Sequence, residues 1–286
     1  MTLPPGVALN PHATGGPALT LASSSGTAVI ALHGATVVSF VPTHGRDLIW
    51  LSPKASSAGS KPLRGGIPLC GPWFGPHASH PKGPTHGLMR QRPWDLLRVE
   101  ALADGRLRAE FTLELPPEPT LGWVHTASAT CTITVGTALA VELTLRNTGS
   151  TPFIASGALH TYLAVTDVRR TRVEGLDDRT YIDFTDGGVR RRNGSGPVVL
   201  DREAARFFLS SDPVRVVDGE RTIAVRSWGH GTTVVWNPWD RTAASMADLG
   251  DTWPGFLCVE AANIPETAVP LPPHMSHHLG TELSLV

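Results

Sequence analysis

Residues 106–146 read RLRAEFTLELPPEPTLGWVHTASATCTITVGTALAVELTLR. Within them, 106–115 (RLRAEFTLEL), 129–135 (ATCTITV) and 138–146 (ALAVELTLR) alternate apolar and polar side chains. A period of two puts successive side chains on opposite faces of an extended chain, so each stretch is a strand with one buried face. The Val, Thr, Ile and Phe content fits the same conformation. Working outward, the pattern returns at 28–32 (AVIAL), 36–41 (TVVSFV), 222–228 (TIAVRSW), 232–236 (TTVVW) and 256–260 (FLCVE), and more briefly at 198–200 and 214–217. Only 241–249 (RTAASMADL) reads as a short helix. The 29 Gly and 25 Pro are scattered, which suits many turns and opposes long helices. Many closely spaced strands make an all-β sandwich or barrel.

The chain has 286 residues, 41% of them hydrophobic, enough for a real core, and an all-β fold of this size can be one unit. No composition shift marks a boundary, so residues 1–286 are expected to form one domain, with 1–20 a loosely held leader. The formal charge of −1 and the lack of any basic block leave no electrostatic footprint for nucleic acid. No apolar run reaches the ~20 residues of a membrane span, and the start of the chain lacks the pattern of a signal peptide. Cys70, Cys131 and Cys258 are odd in number and far apart, which fits a reducing cytoplasm better than a disulfide framework. A monomer is expected.

Four segments carry candidate chemistry. Residues 64–87 hold five Pro, six Gly and three His and read as a functional loop. Its Gly65-Gly66 pair allows close backbone approach or positive φ. Arg64 and Arg90 suit an anionic or polyhydroxyl ligand, because the guanidinium fork matches paired oxygens; the alternative is surface arginines. Trp73 and Phe74 either plug the core or wall a ligand. His160, in SGALHTYLAV (156–165), is either a hydrogen-bonded core residue or an acid–base group. Glu260 ends an apolar run; a buried carboxylate must be paired, solvated or functional. Trp236 and Trp239 are core packing or a stacking platform. The histidines at 77, 80 and 86, and at 274, 277 and 278, match no zinc spacing, and no metal is expected.

Together these blocks resemble the aldose 1-epimerase (galactose mutarotase-like) superfamily, and most of all its glucose-6-phosphate 1-epimerase branch. The resemblance rests on LRGGIPLCGPWFG (63–75), HGLMRQRPWDL (86–96), NTGSTPFIASGALHTYLAV (147–165), VEGLDDRTYID (173–183), VVWNPW (234–239), MADLGD (246–251) and FLCVE (256–260), in the family's order. It implies a large, many-stranded antiparallel β-sandwich (a supersandwich) and interconversion of sugar anomers without a cofactor. It places the acid–base pair at His160 and Glu260, and substrate contacts at His86, Asp212, Arg64 and Arg90, the arginines taking a 6-phosphate. Glu260 would act as base and His160, protonated, as acid. Pro213 departs from the arginine that commonly follows the family's aspartate. Two other readings keep the fold: an epimerase of unphosphorylated aldoses, and a carbohydrate-binding protein without turnover. A binder has no use for an acid–base pair.

Overall fold

The structure is a computed structural model that describes residues 3–58 and 61–286. Among the described residues the strands form two large sheets of nine and eight strands, a four-stranded sheet and a two-stranded one, all with antiparallel pairing. The nine-stranded sheet is built on the strands Leu107–Leu115, Ala127–Val135 and Ala138–Asn147, paired in sequence order. Their alternation becomes alternating burial: Leu139, Val141, Leu143 and Leu145 face inward and the residues between them face out. These side chains meet Leu257, Val259 and Ala261 of the eight-stranded sheet and Leu19, Leu21, Ile30 and Phe40 of the four-stranded sheet in one apolar core. The expected many-stranded sandwich is thus the observed fold.

Two expectations are corrected. From residue 3 on, the described part of the stretch 1–20 is not a loose leader: Val7–Pro11 and Pro17–Ala22 pair with each other, and the second continues onto Gly26–Ala31. Leu19 and Leu21 are fully buried, so core packing ties the segment down. The short helix runs over Trp239–Ser245 rather than 241–249; Asn237 Oδ1 accepts from the Trp239 N–H at its start, and residues 247–249 form a turn. The small, polar stretch 52–62 (SPKASSAGSKP) reads from sequence as a flexible loop, and residues 59 and 60 within it lie outside the described residues. No helix among the described residues is long and apolar enough to cross a membrane.

The strand that positions the site is Phe256–Asn263, buried at every residue. It is flanked by Thr232–Asn237 on one side and by Gly157–Leu159 and Tyr162–Ala164 on the other. Alternation sends Leu257, Val259 and Ala261 into the main core. Phe256, Cys258, Glu260 and Ala262 therefore share the opposite face, where Phe256, Cys258 and Ala262 join smaller apolar clusters. A carboxylate on a covered face of a central strand is the one polar side chain in that row.

Candidate active site

Register brings the two proposed acid–base residues together. Leu159 pairs with Ala261 and Tyr162 with Cys258. These pairs keep a single register, which sets His160 directly opposite Glu260, with side chains on the same face. His160 Nε2 lies 3.4 Å from Glu260 Oε1, and both side chains are almost fully buried. On the other flank Val234 pairs with Glu260, and Phe207 with Val234. The row Phe207–Val234–Glu260–His160 forms part of the wall of a cavity of about 410 Å³, which Arg64, Phe74, His86, Arg90 and Trp236 also line. Small-molecule pockets commonly measure ~300–1,000 Å³.

His86 reaches the cavity through unusual backbone. Its φ is +63° and that of Gly87 is +77°. A Cβ on Gly87 would lie 2.1 Å from the Gly71 carbonyl oxygen, so only glycine fits there. The Gly75 N–H donates to His86 Nδ1, which leaves the ring proton on Nε2. The Gly65-Gly66 pair also takes positive φ. There the close approach is to protein rather than ligand: Cβ atoms would meet the Trp50 and Val37 carbonyl oxygens at 2.5 and 2.4 Å. That crowded turn aims Arg64, whose Nε donates to Asp248 Oδ2 at 3.0 Å and whose Nη1 donates to the Tyr162 hydroxyl at 3.3 Å. Arg90 Nη2 donates to the Thr85 carbonyl.

Burial dominates the electrostatics. It pushes the Glu260 carboxyl well above the usual carboxylate range, with Arg90 pulling the other way. It holds His160 well below the usual imidazole range, helped by the neighbouring His86, Arg90 and Arg64. His86 is lowered to about 3, first by burial and then by Arg90 and Arg64. Burial thus favours the neutral form of each residue of the pair. Among the described residues six buried side-chain polar atoms have no hydrogen-bond partner. Three of them, Arg90 Nε, His160 Nδ1 and Glu260 Oε2, belong to residues lining this cavity. Orphaned buried groups are costly and call for a partner.

Not every candidate arrives. Asp212 is absent from the cavity lining; its carboxylate pairs with Arg179 at 2.7 Å and accepts from the Ser210 hydroxyl, and it is 44% exposed. Trp73 is also absent: its indole N–H donates to the Pro84 carbonyl and its ring meets His77 edge-on, which staples the loop. Trp239 packs on Trp253. Consecutive His277 and His278 bond Asn263 and Thr144, far from a shared metal geometry. Sequence reasoning passed over Tyr162, Met246, Phe207 and Asp248. Their signal was position: Tyr162 follows His160 by two, hence shares its face, and Met246 and Asp248 sit in the MADLGD block.

Residues 17–284 match the aldose 1-epimerase family. A Cenchrus ciliaris protein provisionally named glucose-6-phosphate 1-epimerase is 33% identical over 256 residues, 83% of this chain and 75% of its own length. An Escherichia coli K12 protein with the same provisional name is 33% identical over 244 residues, 84% of this chain and 81% of its own. The crystal structure of a Salmonella typhimurium protein, provisionally described as a mutarotase, superposes with a TM-score of 0.90 at 26% identity, covering all of this chain and 95% of that one. Lactobacillus acidophilus galactose 1-epimerase shares the fold, with a TM-score of 0.74 at 14% identity over all of this chain and 99% of that one. The chain belongs to the aldose 1-epimerase family and is, with it, an isomerase.

Proposed function

We propose that the chain interconverts the α and β anomers of a hexose 6-phosphate, with Glu260 and His160 as the acid–base pair. The observation that carries this reading is that Arg90, His160 and Glu260, each with a buried, unpartnered polar atom, line one sugar-sized cavity. The provisional names of the relatives support the phosphate, and so do two arginines at one cavity.

The reaction balances with one proton. Glu260 takes the proton of the C1 hydroxyl while His160 gives one to the ring oxygen; the C1–ring oxygen bond breaks and the C1 carbonyl forms. Rotation about C1–C2 and closure on the other face, with the transfers reversed, gives the other anomer. His160 Nε2 lies 3.4 Å from Glu260 Oε1, close enough for a proton to pass between the two between turnovers. The positive charge of Arg90 favours the Glu260 carboxylate and, with Arg64, disfavours the His160 imidazolium. His86 Nε2–H donates to a sugar oxygen, and Arg64 and Arg90 hold the phosphate by charge-assisted bonds. Phe74 and Trp236 wall the sugar; Asp212 and Trp73 take no part.

Anomer-exchange rates by NMR for glucose, galactose and their 6-phosphates test this. The phosphorylated sugars are expected to give both the lower KM and the higher kcat. Equal constants for free and phosphorylated sugars exclude the phosphate reading, and absence of exchange with all four excludes turnover of these sugars.

A further inference from the structure

Tyr162 touches both halves of the proposed machinery. Its ring lies parallel to the His160 imidazole, with centroids 4.9 Å apart and planes 12° off. It is also stacked with Trp50 at 5.8 Å and 23°, while Trp236 meets it edge-on at 6.0 Å. Its hydroxyl accepts from Arg64 Nη1. Its backbone is fixed as well: its N–H donates to the Gly66 carbonyl, two residues past Arg64, and its carbonyl accepts from the Trp50 N–H. The residue is only 2% exposed. Free phenolic contacts of this kind cost little entropy, because a clamped aromatic ring has two side-chain torsions to lose and here both are fixed by packing.

Arg64 is a long side chain, a quarter exposed, whose reach would otherwise be spread over many rotamers. Two anchors define its plane: Asp248 on Nε and Tyr162 on Nη1. Among the described residues Nη2 has no hydrogen-bond partner. Asp248 holds one edge; the second anchor restrains the rigid, planar guanidinium against turning about Cδ–Nε.

We infer that Tyr162 is a positioning residue that sets the Arg64 guanidinium for the substrate's phosphate and, through its ring, holds the plane of His160. The inference rests on the phosphosugar reading. It divides the residue into two separable parts, a hydroxyl that serves phosphate recognition and a ring that serves the acid–base pair.

Tyr162→Phe removes the first part and keeps the second. With the wild type measured in parallel, KM for glucose 6-phosphate is expected to rise about tenfold, the size of one lost hydrogen bond to a charged group, and KM for glucose is expected not to follow. In an Arg64→Ala background the hydroxyl has nothing to hold, so Arg64→Ala/Tyr162→Phe should match Arg64→Ala in KM. Thermal melts of all variants report folding. An unchanged KM, an equal rise on both sugars, a loss confined to kcat, or additive effects in the double variant each overturn the inference. A wild type that does not prefer glucose 6-phosphate overturns the phosphosugar reading itself, and is seen before any variant is compared.

Discussion

Glu260→Gln separates catalysis from stability at one atom pair. Glutamine keeps the shape of the side chain, and its amide N–H can still donate to His160 Nε2, so packing beside Cys258 and Ala262 survives. What is lost is the ability to hold and release a proton. Positioned acid–base groups contribute about 10²–10⁴ in rate, or ~3–5 kcal/mol of barrier, so kcat for anomer exchange should fall by that factor. Stability should move the opposite way. Burial raises the folded-state pKa of Glu260 above its ordinary 4.5. Between those two values the folded chain keeps a proton that the unfolded chain has released. Raising the pH through that window therefore destabilises the wild type by about 1.4 kcal/mol per pH unit, and glutamine abolishes the slope. The assay pairs NMR exchange rates with urea unfolding from pH 5 to 9. Near-normal exchange refutes the catalytic role; a wild-type alkaline slope that persists in the variant refutes the buried, protonated carboxyl.

The acid side follows from the histidines. His86 falls to about 3 from an ordinary 6.5 and His160 is also lowered, so the unfolded state binds more protons below pH 6.5 and stability falls as pH drops through that window. His86→Asn, which tolerates positive φ, should flatten the slope by about one proton's worth, ~1.4 kcal/mol per pH unit in urea melts. Arg64→Ala and Arg90→Ala should each raise KM for glucose 6-phosphate by about tenfold or more while moving KM for glucose far less; steady-state exchange kinetics with both sugars check this. Asp212→Asn, which only loosens the exposed pair with Arg179, should leave KM within about twofold and cost under ~1 kcal/mol in a thermal melt. Gly280→Ala should destabilise by more than ~2 kcal/mol, since its Cβ would sit 2.0 Å from the Trp228 ring, as a denaturation series would show.

The parts of the fold legible in the sequence are those where one face is wet and the other dry. Leu107–Leu115 and Ala138–Asn147 announce themselves because each second residue is buried. Alternation fades where a strand's residues answer to neighbours rather than to water. Ser276–Leu285 reads as polar and histidine-rich, yet it is a ten-residue strand of the nine-stranded sheet. Its Gly280 is a glycine because Trp228, its cross-strand partner, occupies the space a side chain would need. Nothing local to residues 276–285 announces that tryptophan.

The site divides the same way. His86, Arg64 and Arg90 come from stretches whose glycines and prolines mark a constrained path, and all three reach the cavity. Asp212 carried equally good local chemistry and does not, because an aspartate's role depends on what faces it, and Arg179 faces this one. For His160 and Glu260 the deciding quantity is a pairing register between strands far apart in the chain. Shift Gly157–Ala164 by one residue against Phe256–Asn263 and His160 turns to the opposite face, leaving a buried carboxyl among Cys258, Ala262 and Phe256 with no partner at all. The catalytic proposal therefore depends on the same backbone pairs that make the sheet, Leu159 with Ala261 and Tyr162 with Cys258. Residues that keep that register, such as Pro68, whose carbonyl accepts the His160 N–H, bear on the chemistry without touching a sugar.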